Sequence, residues 1–308
     1  MPSANPEPNL ATFQNKYLVI LNPFSGKGRA RRYESKIVRF FETNGLAYVV
    51  EHTKSPKDAT RIANDFSDSE FTHFVVCGGD GTLHEVVNGV DPDSGKIIAF
   101  IPLGTINIFA RETGIPREID AALALLLNGP VREIPVGKSS EKKFILMVSI
   151  GLDSYVVQNV TSTLKKAWGA FAYAFVFFKS LFSYTYPTIR VEINGSLFNG
   201  AFVLISKCRK YAGFFAITPD ARIDSDSLSV CILKKRGIFP TLKLLILSLV
   251  QKNHLNKDCI FINTKRVIIL APDARSQIDG EPGGIPSLEI SIDCEKIRCI
   301  MGYSHDYM

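Results

Sequence analysis

From Lys16 to about Pro130 the chain alternates short apolar runs with longer helix-like stretches. The runs at 17–21, 47–50, 74–77 and 97–101 are rich in β-branched and aromatic residues, as strands buried on both faces are. Between them, 29–43, 56–66 and 82–90 predict helices, and 118–127 adds another that Gly129-Pro130 ends. Strand, helix, strand, helix predicts an α/β domain over 16–135, with a parallel sheet covered by helices on both faces. Residues 1–15, rich in Pro, Asn and Glu, are expected to form a loose tail.

The rhythm changes after about Val136. Strand-like runs at 144–150, 188–193, 201–206, 228–233, 266–270 and 288–292 now outnumber helices, and Asn194-Gly195 is a strong hairpin signal. Helical stretches around Trp168 and Leu245 interrupt them. The expectation is a second domain over 136–308, a mainly antiparallel β-sandwich, with its last residues returning to the first domain. A cleft between two such domains is a natural ligand site.

Two segments, 167–178 and 242–250, have apolar runs too short to cross a bilayer, for which about 20 residues are needed. Both read as helices packed on the core. The first, with Trp168, Phe171, Tyr173, Phe175, Phe177 and Phe178, has lipid contact as its alternative. No apolar core of a secretion signal appears near Met1. The six cysteines are scattered with no C-x-x-C pair, so they are expected to be reduced and mostly buried, in a cytoplasmic protein. A formal net charge of +6 suits anionic partners without choosing among nucleotides, nucleic acid and an acidic membrane face.

The chemistry lies in three turns, each following a predicted strand. Asn22-Pro23-Phe24-Ser25-Gly26-Lys27-Gly28 follows the first strand and lacks the spacing of a P-loop. Gly78-Gly79-Asp80-Gly81-Thr82 follows the third, and Pro102-Leu103-Gly104-Thr105-Ile106-Asn107 the fourth. In a parallel sheet such turns cluster at the carboxyl ends of strands, where exposed backbone N–H groups hold phosphate oxygens. A single glycine turn means little; three at strand ends point to a nucleotide.

Taken in order, N-P-x-S-G, G-G-D-G-T-L-x-E-V-V-N-G and P-L-G-T-x-N-x-x-A-R resemble the catalytic domain of diacylglycerol kinases, in the bacterial lipid kinase branch that is also similar to sphingosine and ceramide kinases. Further matches are Gly151-Leu152-Asp153, Pro219-Asp220-Ala221, Asp226-Ser227-Leu228 and Asp279-Gly280-Glu281, so the resemblance runs from about Lys16 through nearly the whole chain. G-G-D-G-T alone is shared with NAD kinases and, more distantly, phosphofructokinases.

The resemblance implies a kinase that uses ATP and Mg2+ to phosphorylate a lipid hydroxyl, touching the membrane surface peripherally and binding no nucleic acid. ATP is then expected on Asn22, Pro23, Phe24, Ser25 and Gly26, on Thr53, on Gly79, Asp80, Gly81, Thr82, Leu83, His84 and Glu85, and on Thr105. Within that set Asp80 is expected beside the Mg2+ of the nucleotide, and His84 lines the cleft rather than acting as a base. Glu281 takes the general-base position, and Asp279 is expected to orient the substrate hydroxyl or support the metal. A structural Mg2+ is implied on the Asp226 carboxylate and the carbonyls of Ile223 and Leu228. Lys27, Arg29, Arg31 and Arg32 offer charge to a triphosphate or an anionic headgroup, or form a solvated helix face.

Several residues depart from the family pattern. Ile108 stands where many members have aspartate, Ser227 where they often have glycine, and 211–215 is bulkier and more apolar than the usual glycine-rich segment. The alternatives are an NAD-kinase-like enzyme and a non-catalytic nucleotide or lipid binder. Pairing of two copies through the second domain is a further expectation.

Overall fold

The computed structural model describes residues 15–140, 142–160, 170–271, 274–284 and 287–302. Trp168 and the start of the aromatic segment lie outside the described residues. The first half follows the predicted alternation: β1 (Lys16–Leu21), α1 (Ser25–Thr43), β2 (Ala47–His52), α2 (Asp58–Asp65), β3 (His73–Gly78), α3 (Asp80–Gly89), β4 (Ile97–Pro102), α4 (Ile108–Glu112) and α5 (Ile119–Asn128). Strands β2, β1, β3 and β4 lie side by side and parallel. Alternation along β1 divides the core: Leu18 and Ile20 pack with α2 and α3, while Tyr17, Val19 and Leu21 pack with α1 and α5.

The second half adds β5 (Val131–Ser139), β6 (Lys142–Phe144), β7 (Met147–Ile150), α6 (Leu152–Asn159), α7 (Ala170–Ser183), β8 (Ile189–Ile193), β9 (Ser196–Gly200), β10 (Phe202–Ser206), β11 (Leu228–Leu233) and α8 (Ile238–Leu249). It ends with β12 (Cys259–Thr264), β13 (Arg266–Leu270), β14 (Ser276–Ile278), β15 (Glu281–Pro282) and β16 (Ser287–Ile300). One sheet runs β12-β11-β10-β7-β14-β15 and is antiparallel throughout. The other is continuous with the parallel sheet of the first half, in the order β2-β1-β3-β4-β16-β13-β8-β9.

Strand β16 makes that continuity. Its start pairs antiparallel with β13, and its end, at Arg298 and Cys299, pairs parallel with β4. Between the facing sheets lie Val148, Ile150, Val191, Val203, Ile205, Val230, Val267, Ile269 and Ile290, all buried. This is the expected β-sandwich. At Asn194-Gly195 both residues have positive φ, 51° and 76°, and the turn joins β8 to β9.

One local expectation needs correction. The predicted strand 144–150 is broken between β6 and β7, because the N–H groups of Ile145, Leu146 and Met147 turn onto the Asp279 carboxylate. Gly26, Lys27 and Gly28 all have positive φ, so the regular part of α1 begins at about residue 29, as predicted. Among the described residues no helix is long and apolar enough to cross a membrane. The described cysteines Cys77, Cys208, Cys231 and Cys299 are buried, Cys259 is half-buried, and none forms a disulfide.

Candidate active site

The turn after β1 is shaped by left-handed backbone. Gly26 has φ +60°, and a methyl group added there would come 2.1 Å from the Leu103 carbonyl oxygen. Glycine is needed on both counts. Asn22 fastens this turn to the next: its Nδ2 donates to Thr82 Oγ1 at 3.0 Å, and its Oδ1 accepts from Phe24 N at 3.1 Å. Phe24 itself projects into solvent, 73% exposed.

The turns after β3 and β4 press directly on each other. A methyl group on Gly104 would meet Gly79 Cα at 2.7 Å and Asn107 Oδ1 at 2.5 Å. The Gly78 carbonyl accepts from Leu103 N at 2.7 Å and Gly104 N at 3.0 Å. Asn107, at φ 53°, sends Nδ2 to the carbonyls of Pro102 and Gly104, while its buried Oδ1 has no protein hydrogen-bond partner. The motif that contains Asn107 assigns it no role; its buried position shows only in three dimensions.

Asp80 caps a neighbouring helix. Its carboxylate accepts from Ile108 N at 2.8 Å and Phe109 N at 3.1 Å, the first N–H groups of α4. Burial pushes its pKa up to about 6, against the lowering pull of those two hydrogen bonds. Ile108 therefore serves Asp80 through its backbone, whatever its side chain.

Glu85 behaves similarly toward α2, accepting from Lys57 N at 3.0 Å and Ala59 N at 3.1 Å. Leu83 is a core residue and offers only backbone to a ligand. Thr53 is buried at the end of β2, its N–H donating to the Leu21 carbonyl at 3.0 Å. Thr105 is exposed.

Across the cleft stands the Asp-Gly-Glu turn. Asp279, at φ 49°, has a fully buried carboxylate with four partners: Ile145 N, Leu146 N and Met147 N, each at 2.9 Å, and His84 Nδ1 at 3.0 Å. Those contacts use the carboxylate's acceptor capacity. In this arrangement Asp279 fixes the turn.

Burial draws the His84 pKa down, but the hydrogen bond to Asp279, with that group's charge, outweighs it and the net shift is upward. Asn88, one turn further along α3, donates Nδ2 to the Lys143 carbonyl at 3.0 Å and accepts Lys143 N at 2.9 Å. The helix that starts in the central glycine turn is thus bolted to the sandwich domain.

Glu281 stays exposed. A methyl group built on Gly81 would lie 3.4 Å from Glu281 Oε1, which sets that carboxylate directly against the central glycine turn. Behind it, Gly280 N donates to Gln277 Oε1 at 2.7 Å, Gln277 Nε2 donates to Ser149 Oγ at 2.7 Å, and Ser149 Oγ donates to Asp153. Asp153 and Tyr211, whose hydroxyl donates to it at 3.2 Å, line an apolar pocket with Phe177, Phe202, Ile217 and Leu244.

The residues named for a structural ion do not converge on one point through their side chains. Asp226 is exposed and paired with Lys265 Nζ at 3.0 Å, while Ile223 is buried and Leu228 opens β11. Among the described residues no group of three or more His, Cys, Asp or Glu side chains is gathered to hold a metal.

The α/β domain thus sets its strand-end glycine turns against a carboxylate carried by the β-sandwich. Residues 16–139 match the Diacylglycerol kinase catalytic domain, and 146–301 match the YegS C-terminal NAD kinase beta sandwich-like domain. The chain is 31% identical over 273 residues to a diacylglycerol kinase of Bacillus subtilis (strain 168), covering 87% of this chain and 90% of that protein. It is 30% identical over 271 residues to one from Staphylococcus carnosus (strain TM300), covering 86% and 88%. The fold is similar to a crystal structure of a diacylglycerol kinase from Bacillus anthracis str. Sterne, with TM-score 0.70 and 20% identity, covering 94% of this chain and 97% of that one. The chain belongs to the diacylglycerol kinase family.

Proposed function

We propose that the protein transfers the γ-phosphoryl group of ATP to the hydroxyl of a lipid bound in the cleft between its two domains. The observation that carries this reading is Glu281 Oε1 against Gly81, a free carboxylate facing the turn best built for phosphates. Glycine turns at 22–28, 78–82 and 102–107 offer backbone N–H groups to the triphosphate. The lipid oxygen attacks the γ-phosphorus, the bond to the β-phosphate oxygen breaks, and Glu281 accepts the hydroxyl proton. ADP and a lipid phosphate leave.

The close crossing of Gly79 and Gly104, which a Cβ would fill, fits a nucleotide laid on bare backbone. Mg2+ brought with ATP would neutralise phosphate charge, and Asp80 and Glu281 are the carboxylates that the turns could offer it beside phosphate oxygens and water. Asp80 already holds two N–H groups, which leaves it a supporting part.

The lipid tail suits the apolar pocket beside Asp153 and Tyr211. Phe171, Phe175, Phe178 and Phe182 of α7 are 77%, 55%, 61% and 80% exposed and recur at helical spacing, a stripe that suits the acyl boundary of a membrane. No acidic residue lies in α7 or α8, which favours an anionic leaflet reached from the cytoplasm.

The deciding experiment incubates the protein with γ-labelled ATP, Mg2+ and mixed micelles of diacylglycerol, monoacylglycerol, ceramide, sphingoid base or phosphatidylglycerol, with NAD as a separate acceptor. The relatives' name puts diacylglycerol first in the panel. Label in a lipid phosphate is the expected result. Label in NADP alone, or ATP binding with no labelled product from any acceptor, refutes the reading.

A further inference from the structure

Lys207 follows β10 and is 0% exposed, one of the largest fully buried side chains in the protein. Lysine is almost never buried so completely unless its charge has a partner. The Lys207 Nζ donates to the Ser225 carbonyl at 2.9 Å, in the middle of the acidic 221–228 segment. Burial outweighs the favourable charges of Asp224 and Asp226 and pulls the Lys207 pKa down to about 8, which leaves the amine mostly protonated at neutral pH. The reaction proposed above does not use it.

The same segment is the one on which the family resemblance implies a structural Mg2+, and its residues do not fit that ion. Asp226, the single side-chain ligand implied, turns outward: its side chain is 77% exposed and paired with Lys265. Asp224 is held by the Arg222 guanidinium through two contacts of 3.1 Å. Ser225 and Ser227 bond each other at 2.8 Å, and Ser227 N donates to Ser225 Oγ at 3.1 Å. A hard divalent ion wants several convergent oxygens and no neighbouring cation. Here an ammonium already points into the turn.

We propose that Lys207 is the resident cation of the 221–228 segment, its ammonium organising the turn through the Ser225 carbonyl so that this part of the fold needs no divalent metal. One buried amine thereby takes over a task that a bound ion would otherwise perform. The inference is independent of the lipid kinase reading, since it concerns folding of the second domain in the absence of nucleotide.

The test is thermal unfolding of the full chain without nucleotide, in EDTA and in millimolar Mg2+ or Ca2+. The wild-type midpoint is expected to be the same in all three. A rise with metal that Asp226→Asn leaves intact reflects ions bound elsewhere and agrees with the proposal. A rise that Asp226→Asn abolishes overturns it. Lys207→Met, which keeps the length and removes the charge, is expected to lower the midpoint by several degrees, and an unchanged midpoint also overturns the proposal. Should Lys207→Met fail to fold, Lys207→Arg, which keeps a cation, is expected to fold and to remain indifferent to EDTA; sensitivity of that variant to EDTA counts against the proposal.

Discussion

His84 Nδ1 lies 3.0 Å from Asp279 Oδ2, joining residues 195 positions apart across the two domains. The carboxylate between them also gathers the N–H groups of Ile145, Leu146 and Met147. It sets the position of the strand break, the turn that carries Glu281, and the helix that begins in the central glycine turn.

Asp279→Asn replaces one acceptor oxygen with an N–H donor and leaves a buried backbone N–H without a partner. It should lower stability by about 3 kcal/mol. Urea unfolding without nucleotide reads this directly, and a midpoint equal to wild type would show that the cluster contributes little.

Glu281→Gln changes an exposed side chain, so the fold should be untouched while phosphoryl transfer falls by about 100-fold to 10,000-fold. ATP affinity, measured by calorimetry, should stay near wild type. Full activity would remove Glu281 from the reaction.

Gly81→Ala places its methyl at ordinary contact distance, 3.4 Å from Glu281 Oε1. The protein should fold normally and lose activity on the order of 10-fold to 100-fold, because the methyl occupies the space between the base and the turn. Gly104→Ala, by contrast, meets Gly79 Cα at 2.7 Å and Asn107 Oδ1 at 2.5 Å, and should cost about 1–3 kcal/mol of stability as well. Comparing the unfolding midpoints of the two variants separates the effects.

His73 is buried against the Tyr17 ring, with Nδ1 2.8 Å from Thr72 Oγ1. Burial, helped by the Arg298 charge, pulls its pKa from 6.5 to about 4. Between those values the unfolded chain takes up a proton that the folded one refuses, so stability falls as pH drops from 6.5 and the loss is complete below about 4. The full effect is on the order of 3 kcal/mol. His73→Gln should lose less stability than wild type between pH 7 and pH 5; parallel losses would argue against it.

Phe171→Ser with Phe178→Ser shortens the exposed stripe on α7 without entering the core. Binding to vesicles containing phosphatidylglycerol should weaken at least tenfold, while ATP affinity is retained. Sedimentation with vesicles that is indistinguishable from wild type would dismiss the stripe as a membrane contact.

The strand–helix alternation of the first domain was legible because parallel strands buried on both faces read as continuous apolar runs. The three strand-end turns were legible because glycine stands where backbone must approach backbone closely, as at Gly26 and Gly104. Other features were not. Strands β5, β12, β14 and β15 are short or carry polar residues, and their pairing with distant strands defines them. Residues such as Asp80, Glu85 and Asp279 advertise a carboxylate, but sequence cannot say which backbone N–H groups will consume it.

By itself, then, the sequence determined the two-domain plan, the glycine turns at the strand ends and the acidic turn near the C-terminus, because local periodicity and glycine spacing are properties of neighbouring residues. Tertiary structure decided which carboxylates stay free. Asp80, Glu85 and Asp279 close helix ends and a strand break, Glu281 remains open opposite Gly81, and Lys207 enters the acidic segment, since each of these depends on partners that the chain brings together only on folding.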